Sequence, residues 1–93
     1  MIIPKLEPGR FSVMLAELRT GIIVTLDGTR RYTGEGKYFA ECDSVESAES
    51  YAEARIEEQP EFEANVRDFE GYSLVVFRKG YPTWRGRSAP IER

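Results

Sequence analysis

The stretch KYFAECDSVESAESYAEARIEEQPEFEANV, residues 37–66, decides the fold. Its first six residues, Lys37 to Cys42, have the aromatic and small-residue character of a strand and run directly into Asp43-Ser44, two residue types that cap helices. Glu46 stands three positions after Asp43, the spacing of a capping box. Val45, Ala48, Ala52 and Ile56 then recur at helical spacing, which predicts one helix from about Val45 to Glu58. Glu46, Glu49, Glu53 and Glu57 fall on its other side, so the helix and the acidic surface are one object. Pro60 ends it, because proline lacks the N–H that a helix interior needs. Phe62, Ala64 and Val66 alternate with Glu63, Asn65 and Arg67, the period of two of a strand with one buried face.

The same period is read on either side. Phe11, Val13 and Leu15 alternate with Ser12, Met14 and Ala16, and Thr20-Gly21 offers a turn into the β-branched run Ile22-Ile23-Val24-Thr25-Leu26. These two runs are expected to form a hairpin. Asp68-Phe69-Glu70-Gly71 turns the chain into Tyr72 to Phe77, a second hairpin. The expected architecture is α+β, a two-layer sandwich with an antiparallel-rich sheet of about five strands. Its order is β-β-β-α-β-β, with the single helix on one face and the connection through it able to join parallel strands. The domain is expected to span 1–79. Residues 80–93, GYPTWRGRSAPIER, show no helical or strand period and read as a tail, packed back on the sheet or loosely ordered.

A chain of 93 residues allows one core, and 41% hydrophobic with 31% charged residues is an ordinary globular balance. No apolar run approaches the roughly 20 residues of a membrane span and the N-terminus lacks a signal-peptide pattern, so the expected location is cytoplasmic, away from membranes. Cys42 is the only cysteine, and histidine is absent. That removes intrachain disulfides, the commonest metal ligand, and the commonest general base, so no metal, cofactor or enzymatic activity is expected. A reactive Cys42 at the start of the helix is a minor alternative. The net charge of −3 conceals an uneven layout. Residues 41–70 carry 11 acidic and 2 basic side chains, while both flanks are basic.

The loop GTRRYTGEGK, residues 28–37, raises the question of phosphate binding. A Walker loop needs glycine where Arg31 stands, a hydroxyl where Tyr38 follows Gly36-Lys37, and a helix where a strand begins. The motif fails on all three. What remains is a glycine-rich connection in which Arg30, Arg31 and Tyr32 are candidate binding residues. In the tail, Trp84, Arg85 and Arg87 combine stacking and charge in the manner of single-strand nucleic-acid binders, against a sequence pI near 5.0. Glu49 and Glu53 on the acidic helix are candidates for docking a basic partner.

One helix can cover one sheet face, and the central strands carry apolar residues on both. The expectation is therefore a small non-enzymatic protein-interaction module, of adaptor, inhibitor or immunity type. It would pair with a protein partner, in the first place as a homodimer through Met14, Leu18, Val75 and Phe77, unless Trp84 and the tail cover that face. The alternative is a nucleic-acid-associated regulator using the arginine loop and tail.

Overall fold

A computed structural model describes residues 3–89. The regular elements are β1 (Phe11–Glu17), β2 (Phe39–Cys42), α1 (Val45–Glu58), β3 (Phe62–Arg67), β4 (Ser73–Arg78) and β5 (Trp84–Ser88). They form one antiparallel sheet in the order β2-β1-β3-β4-β5 with α1 on one face, the expected two-layer α+β sandwich. Since β2 and β3 each pair antiparallel with β1, they run parallel to one another with β1 between them, and α1 makes the crossover.

The helix has the expected bounds. Ser44 is its N-cap, its Oγ accepting from the Ser47 N–H at 3.1 Å, so Ser47 rather than Glu46 closes the local cap. Ala48, Ala52 and Ile56 are the residues it buries. Two alanines in that stripe let the helix backbone sit close to the sheet. Against them pack Val13 and Leu15 of β1, Phe62, Ala64 and Val66 of β3, and Val75 and Phe77 of β4, with Val24 closing one end.

The expected order β-β-β-α-β-β holds as far as Arg78, with its second member much reduced. Residues 22–26 make only isolated bridges, Ala16 with Ile23 and Val24 with Arg31. The reason is space along one edge of β1. Phe11 to Met14 pair there with β2, which leaves only the last residues of β1 for the returning chain. The sheet reaches five regular strands because part of the supposed tail joins it. Trp84–Ser88 pairs antiparallel with β4 as an edge strand exposed at every position. Edge strands need no apolar alternation, which is why composition did not disclose this one. Residues 90–93 of the supposed tail lie outside the described residues.

Two residues expected on the far sheet face lie on the helix side. Val75 is 3% exposed and Phe77 6%, both within the core. Leu74-Val75-Val76-Phe77 is continuously apolar, and the register shift between Ser73 and Val75 sets which phase turns inward. Val76 therefore occupies the face away from the helix, paired with Asn65 on one side and Trp84 on the other. Among the described residues, no helix is long and apolar enough to cross a membrane.

Candidate interaction surface

The face of the sheet away from α1 is ordered in rows by the strand register. The middle row crosses all five strands as Phe39, Met14, Asn65, Val76 and Trp84. On one side runs a polar row, Glu41, Ser12, Arg67, Ser73 and Ser88. On the other lie Ile23, Ala16, Glu63 and Arg78. Between the rows is a recess of about 260 Å³ lined by Met14, Ala16, Ile23, Asn65, Arg67 and Val76 among others. Met14, 2% exposed, is thus an inner residue of this face rather than a projecting contact.

The central strand β3 contributes Glu63, Asn65 and Arg67, an acid, an amide and a base at successive positions on this face. Glu63 accepts from Arg78 Nε at 2.6 Å. Asn65 Nδ2 donates to Ser73 Oγ and to the Val75 carbonyl, while its Oδ1 has no partner. Arg67 is half-buried, and that burial alone pushes its guanidinium pKa down. Its Nη1 donates to the Gly71 carbonyl at 2.8 Å, its Nε has no partner, and it forms no ion pair with any described residue. Ser12 Oγ, directly across the β1–β3 ladder from Arg67, is buried and also unpartnered. Three of the four unpartnered buried side-chain polar atoms among the described residues therefore sit on this one face. Such groups cost free energy until something satisfies them.

The candidates named from sequence are dispersed. Arg31 makes a two-pronged ion pair with Glu17, both N–O distances 3.0 Å. Tyr32 stacks on Tyr38 with ring centroids 4.5 Å apart. Arg85 and Glu49, proposed for opposite kinds of partner, pair with each other at 2.8 Å. Arg87 lies 3.6 Å over the Tyr72 ring and within 3.4 Å of Glu70 and 3.6 Å of Asp68. Glu53 is exposed on α1. Among the described residues Arg30 reaches only the Glu35 carbonyl, at 3.4 Å. Much of the basic charge on the loop and tail is thus matched by the chain's own acids, which leaves less of it for a phosphate backbone.

Trp84 does reach the open face. It is 40% exposed, and its ring lies along the strand over Gly86, where a Cβ would come within 2.9 Å of Cζ2. It covers the edge of the sheet, while in the middle row Phe39, Asn65 and Val76 stay partly accessible and Met14 is buried. Cys42 packs half-buried against the core, and burial, followed by the neighbouring Asp43 carboxylate, raises its thiol pKa. That is the reverse of what a reactive thiolate needs. Asn65, Arg67 and Ser12 were not among the candidates. Their signal is the phase of the β1 and β3 alternations opposite to the apolar one, Ser12 on β1 and Asn65 and Arg67 on β3. Comparison with known protein families, curated proteins and solved structures finds no match to this chain.

Proposed function

We propose that this chain works by protein contact rather than catalysis, and that its open sheet face pairs with a second copy of itself. The observation that carries this reading is the sequence Glu63, Asn65, Arg67 along the middle strand. An isologous contact requires that when one residue meets another, the second also meets the first across the axis. A two-fold lying in the interface, perpendicular to the strands and through Asn65, sets β3 antiparallel against its copy. Glu63 of each molecule then faces Arg67 of the other. The half-buried arginine gains a carboxylate, which no described residue of its own chain supplies, and Glu63 keeps Arg78, since a carboxylate offers about four lone-pair sites.

The rest of the face tolerates the same operation. The middle row maps onto itself, so that Trp84, Val76, Met14 and Phe39 each approach their own counterparts around the recess. Sheets packed face to face keep their strands within about 30° of alignment, which this geometry respects. Pairing through the strand edges is the poorer solution. β5 presents arginines and a glycine, and β2 has only four residues. On the outer side of α1, Glu46 and Glu53 make no ion pair with a described residue and face a different partner, while Glu49 and Glu57 are held by Arg85 and Lys79.

Trp84 is the only tryptophan, so its fluorescence reports this face directly. Acrylamide quenching is expected to weaken as the protein is concentrated from the nanomolar to the micromolar range, as the ring becomes shielded. Quenching that is independent of concentration, with the native chain at monomer mass throughout, would sink the reading.

A further inference from the structure

Between the arginine loop and the helix lies a second concavity, of about 380 Å³, lined by Thr25, Leu26, Asp27, Arg30, Gly36, Lys37, Tyr51 and Arg55. None of these residues belongs to the open-face rows, so the site stands apart from the pairing surface. The loop that forms it is built, not draped. Backbone bonds run from Thr25 N–H to the Arg30 carbonyl at 2.9 Å and from Leu26 N–H to the Lys37 carbonyl at 2.8 Å. Gly36 has φ +89°, and a Cβ there would come within 3.1 Å of Arg30 Nη2, so the glycine lets that guanidinium lie against the loop.

Three cations line the pocket against one carboxylate, and their charges are unspent. Arg30 and Lys37 form no ion pair with any described residue. Among the described residues Arg55 donates only to neutral acceptors, the Leu26 carbonyl at 2.6 Å, Gln59 Oε1 at 2.6 Å and Tyr51 Oη at 3.3 Å, and its buried Nε has no partner there. Tyr51 accepts that bond, which leaves its own O–H free to donate. Asp27 Oδ1 is fully engaged by the Thr25 hydroxyl at 2.6 Å and by the Thr29 N–H and hydroxyl at 3.0 and 2.8 Å. Its role is to hold the turn. Elsewhere Arg10, Arg31, Arg78, Lys79, Arg85 and Arg87 are all matched with acids. Converging unmatched cations beside a hydroxyl donor are the recognition chemistry of a doubly charged oxyanion.

We propose that this pocket binds the phosphate group of a small phosphorylated ligand, with Arg30, Lys37 and Arg55 supplying charge and Tyr51 a neutral hydrogen bond. The site owes nothing to a Walker geometry, because the phosphate is held by side chains that the loop and helix bring together and not by a glycine loop opening a helix.

The test is an NMR titration of the labelled full chain with inorganic phosphate, with acetate and chloride at matched ionic strength as controls. Saturable amide shifts are expected at Leu26, Gly36, Lys37 and Arg55 with phosphate alone. The double variant Arg30→Gln, Lys37→Gln alters two exposed side chains. It should keep the native spectrum elsewhere and bind phosphate roughly tenfold or more weakly, the loss of at least one charge-assisted hydrogen bond. Shifts no larger than those with chloride, equal binding of acetate, or undiminished binding by the double variant would each overturn the proposal.

Discussion

Val75 and Val76 are neighbours on β4 with opposite fates, and replacing each by glutamate separates the core from the open face. Val75 is 3% exposed and packs in the cluster beneath α1. Val75→Glu forfeits about 1.5 to 3 kcal/mol of apolar burial. It also places a carboxylate in the core, which costs several kcal/mol more without a cation to pair with. A domain of 93 residues has a stability of roughly 5 to 14 kcal/mol, so this one change consumes much or all of it. Val76 is half-buried on the far face, beside the recess. Val76→Glu should cost under about 1 kcal/mol of fold stability, as surface changes usually do. Its effect falls on pairing, where two carboxylates would meet across the axis. Urea melts followed by circular dichroism, with light scattering on the same samples, report both quantities. Val75→Glu is expected to be largely unfolded in the absence of urea, and Val76→Glu to be folded and monomeric. A well-folded Val75→Glu protein, or an unfolded Val76→Glu one, would refute the assignment of faces.

Two further predictions concern the loop that frames the phosphate pocket. Three hydrogen bonds, led by that from the Thr25 hydroxyl, hold the Asp27 carboxyl at about 2, below its ordinary 3.8. A depressed folded-state pKa contributes stability that is present above the unfolded value and lost as pH falls through the folded one. Asp27→Asn should therefore flatten the dependence of the unfolding midpoint on pH between about 4 and 2; an unchanged acid slope would contradict the role given to these bonds. Gly28 has φ +75°, and a Cβ there would lie 2.5 Å from the Gln59 side-chain amide at the end of α1. Gly28→Ala should destabilise the fold by about 1 to 2 kcal/mol in urea melts, and a neutral result would mean that the loop does not pack against the helix terminus.

How much could be read beforehand differs from one element to the next. The bounds of α1 were legible because a cap at Ser44, a 3.6-residue stripe and a proline stop at Pro60 agree. β3 was legible because its alternation is unbroken from Phe62 to Arg67. Residues 22–26 misled, since β-branched composition says that a segment is extended but not that a free strand edge awaits it. β5 was missed for the opposite reason, being polar and glycine-containing with both of its faces exposed. The inward phase of β4 is settled by the bulges that align it with β3 and β5, and a run of four apolar residues carries no trace of them. Of the surface, Glu63, Asn65 and Arg67 were plainly the polar phase of a strand. Their meaning depends on β3 being the middle strand and on Arg67 having no acid partner among the described residues, which only the strand order and packing disclose.

The charge arrangement on β3 permits a reciprocal exchange that tests the pairing most directly. Glu63→Arg makes both ends of the strand cationic, and Arg67→Glu makes both anionic. Neither variant can pair with itself through the proposed two-fold, whereas an equimolar mixture restores both cross-molecule contacts, one as in the native pair and one with its signs exchanged. Sedimentation equilibrium at micromolar concentration is expected to give twice 10.6 kDa for the native chain, monomer mass for each variant alone, and the paired mass again for the mixture. A native chain at monomer mass, single variants that pair as well as the native protein, or a mixture that stays monomeric would contradict the account.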